Sequence, residues 1–223
     1  MSTAGSRSGT GARIAVIGAG GLGCAVLPRL ARMQLARLTI IDGDRVESAN
    51  LPRQPLYEEA DIGHFKATTA ALWMRQLLVA GEVQPHVVFL DQSNAEELLR
   101  GHDIVVEGVD DLHAKALIDR SCGALGIPLV SGGVHEEQGQ VFMLHTPGEH
   151  AALDRTTLFR GPVGAAQDGC DMRNVPLQVL EETGRRMVQL VQERLQGRPV
   201  ANGTIDLFDG RTNSWTSIAP PTT

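Results

Sequence analysis

The sequence of 223 residues has three cysteines, few aromatic residues and no long apolar run. The cysteines, Cys24, Cys122 and Cys170, are odd in number and widely spaced, so we expect no disulfide framework. They form no C-x-x-C pair and cannot supply a four-thiolate zinc site. Because the apolar runs are too short to cross a bilayer, no membrane span is predicted. These absences favour a globular protein of a reducing compartment, and we expect a cytoplasmic location.

The chain also carries little positive charge, with 20 Lys and Arg residues against 26 Asp and Glu residues and a net charge of -6. This balance argues against a nucleic-acid or anionic-membrane partner. The length suits one α/β domain with a substantial core and is too short for two full-sized domains. Residues 1–12 are rich in small and polar residues, so we predict a flexible tail followed by a single domain over 13–223.

Short apolar runs alternate with helical patterns in the first 135 residues. Strands are predicted at 13–17, 37–41, 86–90, 103–107 and 127–131, and helices at 22–33, 63–80, 94–100 and 112–125. This alternation predicts βαβ units, and hence an α/β fold with a Rossmann-like, doubly wound and mainly parallel sheet over 13–135. For residues 136–223 we predict a strand at 139–146, a long loop at 147–174, a helix at 175–195 and a hairpin at 204–218. This second part is expected to extend the sheet with antiparallel strands.

The run GAGGLG at 18–23 follows the first predicted strand and opens a helix, which is the context of a dinucleotide-binding G-x-G-x-x-G turn. Gly18 permits the tight turn, Gly20 lets a phosphate approach the backbone, and Gly23 allows the helix to pack closely. Gly21 is expected to bind the nucleotide with the same turn. The start of the helix offers free N–H groups to an anion. We therefore place the phosphates of a nucleotide at this turn.

Asp42 follows the second strand, about 20 residues after the glycines, where a carboxylate binds ribose hydroxyls. The glycine turn and this aspartate together predict an adenosine nucleotide without choosing between NAD, FAD and ATP. An NAD-dependent dehydrogenase would need a proton-handling group near the nicotinamide, for which His113 and His135 are the candidates. Neither histidine lies in a motif typical of dehydrogenases.

A polar cluster beyond the second strand favours ATP instead. Its members are Asp44, Asn50, Arg53, Gln54 and Lys66. The guanidinium and ammonium groups of this cluster suit the charge of a triphosphate, and the neutral members add hydrogen-bonding groups. Asp110 follows the fourth strand, at the edge where doubly wound sheets bind ligands, and its carboxylate suits a magnesium ion on the phosphates.

Taken together, these segments resemble the ThiF/MoeB/HesA family of ubiquitin-activating-enzyme-like adenylyltransferases. The similar stretches are GAGGLG (18–23), IIDGD (40–44), NLPRQ (50–54), GHFK (63–66), VDD (109–111), PLVSGG (128–133) and GQV (139–141). The resemblance implies that ATP and Mg²⁺ are used to adenylate the C-terminal carboxylate of a small ubiquitin-like or sulfur-carrier protein ending in Gly-Gly. It also implies a homodimer.

The resemblance implies roles for individual residues. It places Asp42 on the ribose, Arg53 and Lys66 on the phosphates, and Asp110 on the magnesium, with Asn50 and Gln54 shaping the site. Cys170 lies near the position of a cysteine that some relatives use covalently, which makes it a catalytic candidate. Adenylation itself needs mainly positioning and charge neutralisation, so these cations and a metal suffice without a covalent nucleophile.

The chain departs from the family pattern in three places. It lacks the paired cysteines of a structural zinc site, and we predict none. Asp111 stands where relatives usually have asparagine. The third departure is at the N-terminus, where Arg7 is the one arginine available before the first strand. Three alternatives therefore stay open: activation of a peptide or small-molecule carboxylate, a non-catalytic nucleotide-binding member, and the dehydrogenase.

Overall fold

The computed structural model describes residues 11–148, 150, 153–159 and 174–220. Within these residues, eight strands form one sheet: β1 (Ala12–Ile17), β2 (Leu35–Ile41), β3 (Glu82–His86), β4 (Ile104–Glu107), β5 (Leu129–His135), β6 (Gln138–Leu144), β7 (Ile205–Asp209) and β8 (Ser214–Ile218). Their order is β3-β2-β1-β4-β5-β6-β7-β8. The first five are parallel, and β6, β7 and β8 each run antiparallel to the strand before.

The described residues also include six α-helices and two short 3₁₀ turns, at Ser48–Arg53 and Glu59–Asp61. The helices are α1 (Gly21–Ala31), α2 (Lys66–Leu77), α3 (Ala95–Leu99), α4 (Leu112–Leu125), α5 (Arg155–Leu158) and α6 (Leu177–Leu195). None of these helices is long and apolar enough to cross a membrane.

Helices cover both faces of the sheet, because alternate residues of β1 pack against helices on opposite sides. Ile14 and Val16 pack with apolar residues of α1, α2 and α6, whereas Ala15 and Ile17 pack with residues of α3 and α4. Because successive strand residues point to opposite faces, a strand buried on both sides appears in sequence as a continuous apolar run. The prediction of a doubly wound, mainly parallel sheet with an antiparallel extension is confirmed.

Two predicted elements need correction. The third strand is Glu82–His86 rather than 86–90, so residues 87–90 follow the strand instead of forming it. This strand lies at the sheet edge, where Pro85 is tolerated because one side of the strand has no ladder to complete. The predicted loop over 147–174 contains a short helix, α5, which Asp154 caps by accepting a hydrogen bond from Thr157 N–H at 2.7 Å.

The limits of the predicted tail also shift, since β1 begins at Ala12. Residues 1–10, including Arg7, lie outside the described part of the chain. The same holds for residues 160–173, and therefore for Cys170.

Candidate active site at the switch point of the sheet

A cavity of about 310 Å³ opens at the carboxyl edge of the parallel strands, beside β1. The chain passes from β1 to β2 on one side and returns to β4 on the other, and doubly wound sheets bind ligands at such a reversal. The cavity brings together nearly all the residues predicted for the site: Gly18, Gly20, Gly21, Asp42, Asp44, Asn50, Arg53, Gln54, Lys66 and Asp110.

The glycine turn is built for close backbone approach. Gly18 has a φ of +90° and its N–H donates to the carbonyl of Ile41 at 3.0 Å, which ties the turn to the end of β2. A Cβ on Gly23 would lie 2.3 Å from the Gly18 carbonyl oxygen, so only glycine lets α1 start this close to the turn. Gly23 itself does not line the cavity and acts through packing.

Asp42 joins the glycine turn to the segment that follows β2. Its Oδ2 accepts a hydrogen bond from Ala19 N–H and its Oδ1 accepts one from Asp44 N–H, each at 2.7 Å. Burial raises the pKa of Asp42 above its usual value, against the lowering effect of these two bonds and of the Lys66 charge. The carboxylate still borders the cavity, and its remaining lone pairs suit ribose hydroxyls.

Two cations reach the cavity from different elements. Lys66 begins α2, and its nearly buried ammonium group lies 3.1 Å from Asp44 Oδ2, a carboxylate whose side chain is 55% exposed. Arg53 ends the first 3₁₀ turn and donates to Asn50 Oδ1 at 3.2 Å. The four residues form the polar wall opposite the apolar part of the cavity.

Gln54 offers an unusual polar atom beside the glycine turn. Its side chain is buried, and its Oε1 has no hydrogen-bond partner among the described residues. A Cβ on Gly20 would come within 3.7 Å of Gln54 Nε2, so the two residues face each other across little space. A buried amide oxygen without a partner is costly, which fits a group that a bound ligand satisfies.

Asp110 and Asp111 are both exposed and both border the cavity, and Asp111 has a further role in capping a helix. Asp111 is the N-cap of α4 and accepts a hydrogen bond from Ala114 N–H at 2.6 Å. Asp110 is exposed and borders the cavity. Asp111 thus performs a capping task that asparagine also performs, and it borders the cavity together with Asp110.

Sequence reasoning missed the apolar wall of the cavity, formed by Val88, Phe89, Leu90 and Ile118. Phe89 is 66% exposed, and its ring lies where a Cβ on Gly43 would stand. An apolar and aromatic surface of this kind suits the face of a nucleobase. The signal was present in the run of 86–90, which we assigned to a strand. Because the strand lies four residues earlier than predicted, residues 87–90 follow it at the carboxyl edge of the sheet, beside the cavity.

Tyr57 was also missed. It is buried, and its hydroxyl donates to the carbonyl of Ala19 at 2.7 Å. The same hydroxyl lies 3.5 Å from the carbonyl of Lys66. Tyr57 therefore links the glycine turn to the start of α2. Nothing in its sequence context distinguishes it from an ordinary core tyrosine.

Other candidates lie apart from the cavity. His113 and His135 are exposed and do not line it, so neither of the two candidates named for the dehydrogenase alternative lies at the cavity. Burial raises the pKa of the Cys24 thiol to about 12 and also raises that of Cys122, which makes both thiols unreactive. His145 binds Asp119 at 2.8 Å.

No group of three His, Cys, Asp or Glu side chains able to hold a metal was found in the described part of the chain. A magnesium ion at Asp110 would therefore need oxygen ligands from a nucleotide, as is usual for Mg²⁺ bound with phosphates. The donor set fits such an ion, because Asp110 offers one exposed carboxylate at the cavity that the glycine turn also borders.

The model of the ThiF family matches residues 3–223. The chain belongs to the ThiF family.

A sulfur carrier protein adenylyltransferase of Thermus thermophilus is 37% identical over 142 residues, which is 64% of this chain and 52% of the relative. An adenylyltransferase and sulfurtransferase MOCS3 of Anopheles gambiae is 36% identical over 208 residues, or 93% and 47% of the two chains. This chain thus spans about half the length of these relatives. In structure, E. coli MccB crystallised with ATP matches with a TM-score of 0.80 at 17% identity, over 95% of this chain and 65% of MccB. This match confirms the fold.

Proposed function

We propose that this chain binds ATP in the cavity at the switch point and uses it to adenylate a carboxylate. The observation that carries the proposal is the convergence of a glycine turn, a buried aspartate, two cations and an exposed aspartate on one cavity of about 310 Å³. The apolar wall accounts for a base, Asp42 for a ribose, and Lys66 and Arg53 for phosphates. Such a set needs no nicotinamide-handling residue.

In the proposed reaction a carboxylate oxygen attacks the α-phosphorus of ATP, an acyl-adenylate forms and pyrophosphate leaves. Lys66 and Arg53 neutralise the charge that develops on the phosphate oxygens, and the N–H groups at the start of α1 add to this field. Bound at Asp110, a magnesium ion would supply further charge neutralisation. The apolar wall orients the base and excludes water from one side of the nucleotide. Cys170 stays an untested catalytic candidate.

The proposed substrate is the C-terminal carboxylate of a small ubiquitin-like or sulfur-carrier protein ending in Gly-Gly. Support comes from the relatives, whose names include a sulfur carrier protein adenylyltransferase. A homodimer and a cytoplasmic location belong to the same proposal. Leu72 and Val79 support the dimer, because they are exposed apolar residues in the segment 64–80, at 55% and 62% exposure. Sedimentation of the purified chain tests this part.

ATP–pyrophosphate exchange with a Gly-Gly-ending carrier tests the reaction, and a mass gain of one AMP on the carrier identifies the product. Exchange with a peptide or small carboxylate but not with the carrier would assign the alternative substrate class. Absence of ATP binding with Mg²⁺ would contradict the proposal and leave a non-catalytic member.

Lys66→Met should lower kcat/KM for exchange by about 10²- to 10³-fold, because a donor aimed at transition-state charge is lost. Stability should change little, since the partner Asp44 is half exposed and regains water. Arg75→Met is the matched control: Arg75 lies on the same helix but donates to the Val83 carbonyl, away from the cavity. If both variants lose equal activity, the phosphate role of Lys66 is wrong.

A further inference from the structure

A buried charge pair lies behind the cavity, between the carboxyl ends of β4 and β5. Glu107 ends β4 and is fully buried, and Lys115, on α4, is 6% exposed. The ammonium group donates to the two carboxylate oxygens at 2.9 and 2.8 Å and to the Gly132 carbonyl at 2.7 Å. Neither residue lines the cavity. The pair therefore cannot contact a ligand there directly.

Glu107 holds the backbone that carries Asp110. Its Oε2 accepts a hydrogen bond from Val109 N–H at 3.2 Å, and its Oε1 accepts one from the Ser131 hydroxyl. On the other side of Asp110, Asp111 is fixed as the cap of α4. Asp110 thus lies between two anchored residues while its own side chain faces the cavity.

Lys115 makes this anchoring possible. A carboxylate as deeply buried as Glu107 is strongly disfavoured without a counter-charge. With the lysine in place, the Glu107 carboxylate accepts the Val109 hydrogen bond, and the pair itself adds no net charge behind Asp110. The network satisfies each Glu107 oxygen twice, and fully satisfied buried networks of this kind make local geometry rigid.

We propose that the Glu107–Lys115 pair is a positioning unit that fixes the turn at 109–110 so that Asp110 presents its carboxylate to a nucleotide-bound Mg²⁺. This inference rests on the proposed function, in which Asp110 serves the metal. Lys115 and Glu107 act through the backbone of Val109 and do not touch ATP. Residues that orient a metal ligand from behind typically contribute 10- to 100-fold to metal affinity.

Calorimetric titration of the whole chain with ATP, with and without Mg²⁺, tests the inference independently of activity. In Lys115→Met the metal-free ATP affinity should stay within about twofold of the wild type. The gain in affinity on adding Mg²⁺ should fall by about tenfold or more. Lys115→Arg keeps the charge and the donors and should restore most of the gain.

A matched control is Arg186→Met, which removes another partly buried pair, that of Arg186 on α6 with Asp206 on β7 at 2.7 Å, neither of which lines the cavity. It should leave the Mg²⁺-dependent gain unchanged. Should Lys115→Met fail to fold, Ser131→Ala removes one bond to Glu107, together with the bond that Arg155 donates to the same hydroxyl, without changing charge and should give a smaller loss in the same direction.

The variant Asp110→Asn distinguishes a failure of the proposed metal role of Asp110 from a failure of the positioning inference. Full retention of the Mg²⁺ gain in Asp110→Asn would show that Asp110 does not serve the metal, and the proposed role at the site fails. A loss of the gain in Asp110→Asn, but not in Lys115→Met or Ser131→Ala, would leave the site role intact and overturn the positioning inference.

Discussion

Two buried carboxylates stand at the ends of the strands that flank β1, and they are satisfied in different ways. Asp42, after β2, receives two backbone N–H groups, from Ala19 and Asp44. Glu107, at the end of β4, receives a lysine, a serine hydroxyl and one backbone N–H. Asp42 borders the cavity, whereas Glu107 lies behind it. A carboxylate held only by backbone N–H groups can still accept hydrogen bonds from a ligand. The donors around Glu107 occupy the acceptor sites of its carboxylate within the fold.

The two buried lysines repeat this contrast. Lys66 pairs with a carboxylate that is 55% exposed, and Lys115 pairs with one that is 1% exposed. Asp44, the exposed partner, can return to water if a phosphate takes its place beside Lys66. Glu107, the buried partner of Lys115, cannot. Both lysines belong to helices that follow a strand, so residue type and position alone do not distinguish Lys66, for which we propose phosphate binding, from Lys115. The burial of the partner distinguishes them.

The sharpest way to test this contrast is Glu107→Ala. It leaves Lys115 buried without a counter-charge, and removing one partner of such a pair costs about 3–5 kcal/mol of unfolding free energy. Urea unfolding followed by tryptophan fluorescence measures the loss. The double variant Glu107→Ala with Lys115→Met should recover most of it, because no charge is then left buried. A double variant no more stable than Glu107→Ala would show that packing, not charge pairing, dominates at this position.

A smaller loss of unfolding free energy is expected for Gly23→Ala, beside the glycine turn that binds Asp42. The new methyl group would stand 2.3 Å from the Gly18 carbonyl oxygen, so the helix and the turn must separate. Overpacking of this kind costs about 1–3 kcal/mol. The shift should also draw the Ala19 amide from Asp42 and weaken ATP binding. Gly133→Ala is the control for stability, since no atom lies within 4 Å of its added Cβ. Equal losses in the two variants would contradict the close-packing role of Gly23.

The elements that were predicted correctly from the sequence are those with strong local features, such as helix caps. The helix predicted at 112–125 has the observed limits, because Asp111 caps its start and Gly126 adopts the left-handed conformation at its end. The site residues near the glycine turn converge because parallel strands end at one edge, a consequence of topology that the alternation of elements already implied. Whether these residues bind ATP stays a prediction.

Other features depend on contacts between distant residues and were not predictable. Phe89 borders the cavity because the strand before it ends at His86, and neither this end nor the order of the strands can be read from the local pattern of 82–90. Glu107, Lys115 and Ser131 come together only when β4, α4 and β5 pack side by side. In the sequence they appear as an ordinary acidic strand end, a helix lysine and a strand serine.

The smallest expected effect concerns the pH dependence that Asp42 gives to stability. Burial raises the pKa of Asp42 in the folded protein above 3.8, whereas the unfolded chain keeps the ordinary value. As pH rises from 3.8 towards the folded pKa, the unfolded state loses this proton first, so the carboxyl progressively destabilises the fold. Above the folded pKa the destabilisation is complete and constant.

Asp42→Asn removes this titration. The unfolding free energy of the wild type minus that of Asp42→Asn should therefore fall as pH rises through the window just above 3.8, and then level off. Urea unfolding of the two proteins at matched pH values measures the difference, in which the titration of all other groups cancels. A difference that rises with pH would mean that the amides of Ala19 and Asp44 outweigh burial. The ionised form of Asp42 would then stabilise the fold, and the contrast with Glu107 would lie only in the partners of the two carboxylates.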